Sequence, residues 1–162
     1  MASYNCFLDT HVFADFLLQY DSSLPNNLLE PKGYLSDRIV KKMNPLIEGE
    51  GRDGIVLTSA FSVVEVLNKF PEIYKEVSEP NRLMTKLYGF LKQTPDWFLI
   101  DEINISTTVS LIDVPNNNTK GESISGDDAI LLATALQRDN VFFCTFDNRL
   151  DNLNLKNITF IK

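Results

Sequence analysis

The sequence predicts an α/β protein whose central parallel sheet is covered by helices on both faces. Short apolar runs typical of strands alternate, along 162 residues, with longer segments whose apolar residues recur at helical spacing. Parallel strands need crossover connections, which the intervening helices provide. The predicted strands are Tyr4 to Leu8, Ile55 to Thr58, Trp97 to Ile100, Val141 to Thr145 and Ile158 to Ile161.

The predicted helices follow from apolar spacing and from the residues that interrupt it. Pro71 is expected to end the third helix, and the turn cluster Gly49 to Gly54 follows the second. Residues 21–33 and 115–120 are rich in loop-forming residues, and the second of these segments is predicted to be a mobile surface loop. The predicted helices are Thr10 to Tyr20, Tyr34 to Leu46, Ala60 to Phe70, Asn81 to Gln93, a short segment from Ile103 to Leu111, and Ser125 to Arg138.

Length and composition predict one domain over residues 1–162. A hydrophobic content of 44% is sufficient for a sizeable core in a chain of this length. The chain has neither a run of eighteen apolar residues nor an N-terminal basic region followed by an apolar stretch. We therefore expect a cytoplasmic protein without a membrane segment. Cys6 and Cys144 lie in strand-like runs and are expected to be reduced and buried.

The charge balance limits how the chain can bind nucleic acid. A formal net charge of −7 argues against a broad basic surface that makes many phosphate contacts. It does not exclude a nuclease, because a bound divalent cation brings its own positive charge. The acidic balance predicts weak affinity for free nucleic acid, or a basic protein partner.

Four carboxylates occupy positions from which one divalent cation could draw them together. Asp9 follows the first predicted strand and Asp147 follows the fourth, and ligands of open α/β sheets bind at the carboxyl ends of strands. Glu65 lies in a helix that is apolar nearly all round. Asp128 heads the apolar stripe of its helix, whereas Asp127 points more to the side. Carboxylates at such places are costly without a counter-charge.

Each acid also has a structural explanation that involves no ligand. Asp9 is placed to cap the helix that follows, and Asp128 is placed in a capping box with Ser125. Glu65 has Lys69 at the favourable i+4 distance. Asp147 lies in a turn-like segment. Each explanation is acceptable singly, but the four together are less so.

The segments that carry these acids resemble the successive motifs of the PIN domain family. The segments are Leu8 to Phe13, Thr58 to Val66, Asp128 to Leu136 and Thr145 to Leu150. They occur in the family's order and extend over nearly the whole chain. The most similar branch is the VapC-type toxin ribonucleases of toxin–antitoxin pairs.

The resemblance implies a three-layer α/β/α sandwich with a central parallel sheet and a metal-dependent endoribonuclease site. By motif position, Asp9, Glu65 and Asp128 would bind the metal, and Asp147 would be the fourth acid. The chemistry of the residues agrees, because Mg²⁺ and Mn²⁺ prefer oxygen ligands. One ion, or two sharing the acids, would activate water for attack on a phosphodiester.

Further residues are expected to support the site. His11, the only histidine, is expected to hydrogen-bond to the acids or the backbone rather than to bind metal. Residues expected to hold the acids or water in place are Thr10, His11, Asp127, Thr145 and Asn148. The residues placed to contact substrate phosphate are Arg149 and Lys69.

The resemblance also implies partners. The substrate would be single-stranded or structured RNA, and a toxin would bind an antitoxin whose C-terminal segment lies across the acidic cleft. A homodimer would fit the family, with the helix Tyr34 to Leu46 or Asn81 to Gln93 at the interface. The chain departs from the family in a longer segment over 21–54 and in the Asn-rich loop before Asp128.

Other functional classes fit less well. A haloacid-dehalogenase-type phosphatase needs a second aspartate two positions after the first, where this chain has His11. A receiver domain needs an acid pair at the first strand, where Asp9 stands singly. The remaining alternative is a catalytically inactive PIN-fold module that binds another protein.

Overall fold

The computed structural model describes residues 4–20, 54–73, 80–96 and 98–162. Within these ranges, five strands form one sheet in which every neighbouring pair is parallel. Their order across the sheet is β3-β2-β1-β4-β5, so β1 lies at the centre. The strands are β1 (Tyr4–Leu8), β2 (Gly54–Ser59), β3 (Phe98–Asp101), β4 (Val141–Cys144) and β5 (Ile158–Ile161).

Helices lie between consecutive strands from β1 to β4, whereas only a 3₁₀ turn lies between β4 and β5. Two 3₁₀ turns, Leu111–Asp113 and Leu150–Asn152, complete the described elements. None of the helices in the described ranges has both the length and the apolar character needed to cross a bilayer. The helices are α1 (Thr10–Gln19), α2 (Ala60–Ile73), α3 (Pro80–Lys92), α4 (Ile105–Ser110) and α5 (Gly126–Ala135).

The strand order reverses beside β1. From β1 the chain builds β2 and β3 on one side of the sheet and then returns to place β4 and β5 on the other. At such a reversal the connections leave the sheet in opposite directions, which opens a crevice outside the carboxyl ends of the two strands. The backbone N–H of Asp9 donates to the carbonyl of Cys144 at 3.0 Å, so β1 and β4 end side by side.

Hydrophobic cores on both faces of the sheet confirm the predicted three-layer architecture. On one face, aromatic side chains of α1, α3 and β3 form a cluster whose ring centroids lie between 4.8 and 6.3 Å apart. On the other face, α5 packs against Phe7 and Phe143, whose rings stack at 5.2 Å. Helix α2 contributes Val66 to the first core and Phe61 to the second. The aromatic cluster consists of Phe13, Phe16, Phe90 and Phe98.

The structure corrects the predicted end of α2. The helix runs through Pro71 to Ile73 instead of ending at Phe70. Proline lacks the N–H that would bond four residues back, and its ring crowds that carbonyl, but its φ angle is compatible with helical backbone. Near the end of a helix this cost is tolerated, and the last turn continues past Pro71. The predicted helix over 34–46 and the loop over 21–33 lie outside the described residues.

The Asn-rich segment before α5 is a surface loop, as predicted, and its two arms are hydrogen-bonded to each other. Asn117 and Ser123 form an isolated antiparallel bridge, and the N–H of Ile124 donates to the carbonyl of Asn116 at 2.9 Å. Cys6 and Cys144 are buried and not joined by a disulfide, as predicted, and their sulfur atoms lie 3.5 Å apart.

Candidate functional site

A cavity of about 630 Å³ opens at the carboxyl ends of β1 and β4. It lies where the strand order reverses, which is the expected place for a ligand in an open α/β sheet. All the residues predicted for the site line this cavity except Thr145, which is buried. The lining residues are Asp9, Thr10, His11, Glu65, Lys69, Ser125, Asp127, Asp128, Leu131, Phe146, Asp147, Asn148 and Arg149.

Asp9 both caps α1 and faces the cavity. Its Oδ1 accepts the backbone N–H of Val12 at 2.9 Å, so the capping explanation is correct but incomplete. The residue is only 7% exposed. Burial raises the pKa of the Asp9 carboxyl to about 6, against hydrogen bonds from Thr145 and Val12 that lower it. In the described ranges no lysine or arginine forms an ion pair with Asp9.

Glu65 is held by one residue from α1 and one from its own helix, α2. The hydroxyl of Thr10 donates to Glu65 Oε2 at 2.5 Å, and Lys69 Nζ donates to Oε1 at 2.8 Å. The predicted i+4 pair therefore forms. Lys69 also contacts the carboxylate of Asp127, which joins α2 to the start of α5. The pKa of Lys69 is raised, mainly by its hydrogen bond to Asp127 and to a lesser extent by its hydrogen bond to Glu65.

Asp128 is turned inward relative to Asp127, as its helix position predicts. Its side chain is 20% exposed, against 48% for Asp127. The hydroxyl of Ser125 donates to Asp128 Oδ2 at 2.6 Å, and its oxygen accepts the N–H of Asp128 at 3.1 Å. Ser125 was not among the predicted site residues, although its place in the capping box was a usable signal.

Arg149 joins Asp147 to Asp128. Its Nη2 lies 2.5 Å from Asp147 Oδ2 and 3.4 Å from Asp128 Oδ2. The Asp147 carboxylate also accepts the backbone N–H of Arg149 at 2.8 Å. The hydrogen bond from the guanidinium is the main reason that the pKa of Asp147 is lowered. Thr145 contacts both ends of the site, since it bonds to Asp9 and accepts the N–H of Asp147 at 3.0 Å.

The remaining predicted residues lie at the cavity's exposed side. His11 is exposed and lines the cavity. Asn148 is also exposed, and its Oδ1 accepts a hydrogen bond from Lys162 Nζ at 3.2 Å. Leu131 and Phe146, which sequence reasoning did not select, form apolar parts of the wall. Apolar residues of this kind carry no chemical signal that separates them from ordinary core.

The donor chemistry of the cavity fits a hard divalent cation. Carboxylate oxygens from separate segments face one open space, and Mg²⁺ or Mn²⁺ binds such oxygens while keeping waters of its own. In the part of the chain that the structure describes, no three acids converge into a ready-made cation cage. Instead Lys69 and Arg149 bridge pairs of acids, and Asp9 is left without such a cation.

The raised pKa of Asp9 predicts a pH-dependent penalty on stability. Between pH 6 and the ordinary value of 3.8, the folded chain binds a proton at Asp9 that the unfolded chain does not, so the penalty exists at neutral pH and falls on acidification. In EDTA at pH 7.5, we expect Asp9→Asn to raise the free energy of unfolding by as much as about 3 kcal/mol. Urea unfolding should show this gain shrinking toward pH 4.

The exposed Asp96 supplies a matched control for that experiment. Asp96→Asn makes the same chemical change at the surface and should leave the free energy of unfolding nearly constant. An Asp9→Asn protein that is no more stable than the parent at pH 7.5 would contradict the assignment of a buried, uncompensated carboxylate.

Comparison with known proteins supports the fold. No protein-family model and no curated protein sequence matches the chain. Among solved structures, VapBC2 from Rickettsia felis bound to a DNA fragment from its promoter matches with 15% identity and a TM-score of 0.55, covering 98% of this chain and 99% of that chain. FitAB bound to the IR36 DNA fragment matches with 17% identity and a TM-score of 0.51, covering 96% and 94%. With an all-parallel sheet of matching architecture over nearly the whole length of both structures, this chain has the PIN-like three-layer α/β/α fold.

Proposed function

We propose that this chain is a metal-dependent endoribonuclease that hydrolyses phosphodiester bonds in single-stranded or structured RNA, and that residues 1–162 form a single PIN-like nuclease domain. One observation carries the proposal. Asp9, Glu65, Asp128 and Asp147 come from four separate segments and line the same open cavity at the ends of β1 and β4. A shared place at the strand-order reversal is better explained by a common ligand than by four independent capping and turn roles.

Asp9, Glu65, Asp128 and Asp147 would hold Mg²⁺ or Mn²⁺. Such a cation supplies positive charge beside the scissile phosphate and favours water as the nucleophile. The chain's own residues orient the carboxylates before the cation arrives. Thr10 holds Glu65 and Ser125 holds Asp128, while Thr145 contacts Asp9 and Asp147. His11, Asp127 and Asn148 would act as supporting groups at the cavity's exposed side.

We propose that Lys69 and Arg149 neutralise the acids when no metal is bound and bind RNA phosphates when one is. Both are bound to the acids in the structure, where they offset part of the negative charge. With the carboxylates holding a divalent cation, the side chains of Lys69 and Arg149 would be available for the phosphate groups of RNA. Both side chains are more than two-fifths exposed, so they can make that exchange without repacking the core.

Cleavage of a labelled single-stranded RNA tests the proposed reaction. With Mn²⁺ or Mg²⁺ we expect cleavage that EDTA abolishes and that Asp9→Asn lowers by at least about 100-fold, because loss of a group that merely supports a metal ligand costs up to about that much. Asp96→Asn, an exposed carboxylate changed in the same way, should cleave like the parent. Metal-dependent stabilisation of the parent, measured by thermal unfolding, reports binding separately from cleavage.

The catalytically inactive PIN-fold module is the second candidate. The ion pairs of Lys69 and Arg149 favour it, since they partly neutralise the acids without a metal. A parent protein that shows neither cleavage nor stabilisation by Mn²⁺ would replace the nuclease with this module. Stabilisation without cleavage of a generic RNA would point to a more selective RNA substrate.

Substitution of Lys69 tests whether its charge competes with a divalent cation for the acids. Lys69→Met removes the charge that bridges Glu65 and Asp127, so we expect Mn²⁺ to bind roughly threefold to tenfold more tightly in isothermal titration. Lys92→Met is the matched control, because Lys92 is exposed and lies over the ring of Tyr88. Equal or weaker Mn²⁺ binding by Lys69→Met would contradict direct competition for the acids.

An antitoxin is the proposed protein partner, and the cytoplasm is the proposed location. Support comes from the likeness in fold to VapBC2 and FitAB, whose structures were solved with bound DNA fragments. The acidic cavity and the net charge of −7 favour a basic segment as the part of the partner that enters the site.

A homodimer is also proposed. Of the two helices considered for its interface, residues 34–46 lie outside the described ranges, and α3 exposes Tyr88 and Leu91. A second apolar surface lies along α4 and the 3₁₀ turn after it. Its exposed residues, at helical spacing, are Ile105, Val109 and Ile112. Light scattering after size exclusion should give twice the 18.4 kDa mass of one chain. A single-chain mass at high protein concentration would contradict the dimer.

A further inference from the structure

Asn118 is a buried polar residue in an exposed loop. Its neighbours Asn116, Asn117, Thr119 and Lys120 are exposed, whereas Asn118 is only 5% exposed. A buried amide is costly unless its donors and acceptors find partners. The loop therefore places this one side chain inward for a specific set of hydrogen bonds.

All the hydrogen-bonding capacity of the Asn118 side chain is used. Its Oδ1 accepts the backbone N–H groups of Lys120 and Glu122, each at 2.9 Å. Its Nδ2 donates to Glu122 Oε2 at 2.6 Å and to the carbonyl of Arg149 at 2.9 Å. Exchanging the amide oxygen and nitrogen would set donors against donors, so the network fixes the orientation of the side chain.

The hydrogen bond to Arg149 reaches the acids of the cavity. The side chain of Arg149 holds Asp147 and approaches Asp128, and its backbone N–H donates to Asp147. A second contact, from the N–H of Thr119 to the carbonyl of Asn152 at 3.3 Å, fastens the loop to the same segment. The loop's other end leads directly into Ser125, which holds Asp128. Asn118 thus ties together the two segments that carry Asp128 and Asp147.

We propose that Asn118 is a positioning residue for the candidate site: its amide donor fixes the backbone of Arg149 and thereby sets the places of Asp147 and Asp128. This inference rests on the proposed nuclease function. A side chain that orients metal-binding groups without touching the metal contributes about 10-fold to 100-fold in metal affinity or activity.

The test separates the hydrogen bond from Asn118 to Arg149 from the hydrogen bonds by which Asn118 closes its own loop. Asn118→Asp keeps an oxygen for the N–H groups of Lys120 and Glu122 but loses the donors to the Arg149 carbonyl and to Glu122 Oε2. The backbone contacts that close the turn are kept, and the hydrogen bond to Arg149 is lost. Asn117→Asp introduces the same charge on the exposed neighbouring residue. Asn118→Ala removes the donors without adding charge.

The first readout is amide hydrogen exchange of the peptide containing Arg149, with the buried strand β4 as an internal reference for global unfolding. We expect exchange at Arg149 to be faster in both Asn118 variants than in Asn117→Asp, with β4 unchanged. The second readout is Mn²⁺ affinity by titration, and the third is RNA cleavage. Each Asn118 variant should bind Mn²⁺ about tenfold more weakly, with the loss of cleavage in kcat rather than in KM.

The outcomes separate this inference from the proposed function. If Asn118→Asp matches Asn117→Asp in exchange and in Mn²⁺ affinity, the positioning role is overturned even when the parent cleaves RNA. If only Asn118→Ala is impaired, the side chain serves the turn alone, and the role is likewise overturned. A parent that neither binds Mn²⁺ nor cleaves RNA overturns the proposed function, while the exchange comparison still decides whether Asn118 positions Arg149.

Discussion

The parallel pairing of β1 with β4 is the interaction on which the rest of the structure depends. These strands are separated by more than 130 residues of chain, yet Phe7 lies opposite Phe143 and their rings stack at 5.2 Å. The pairing continues to the strand ends, where the backbone N–H of Asp9 donates to the carbonyl of Cys144. Because the strand order reverses here, the two acids that follow these strands face a common crevice rather than opposite sides of the sheet.

Charge shapes that crevice as strongly as topology does. Asp9 is buried without an ion pair to a lysine or arginine in the described residues, and desolvation raises its pKa to about 6. The other acids are held by hydroxyls and by Lys69 or Arg149, which span from one helix or loop to another. The site is therefore organised before any ligand arrives, but one carboxylate stays energetically unfavourable. Such an arrangement favours a ligand that brings positive charge.

Local sequence predicted much of the fold because local physics determines it. The apolar spacing of Val12, Phe13 and Phe16 placed α1, and Ser125 marked the start of α5. The end of α2 was missed because Pro71 weakens a helix without forbidding its last turn. Asn118 was not distinguished from its neighbours, since three adjacent asparagines have the same local propensity and only the contact with Arg149 separates one from the others.

By itself, the sequence determined the alternation of strands and helices and the acids that stand beside them, since periodicity and chain position reveal both. Only the tertiary structure decided which side chains meet. Lys69 joins Glu65, one helical turn away, to Asp127, which is 58 residues distant, and Arg149 joins Asp147 to Asp128. These contacts depend on the order of strands in the sheet, and that order is set by packing of the whole core rather than by any local pattern.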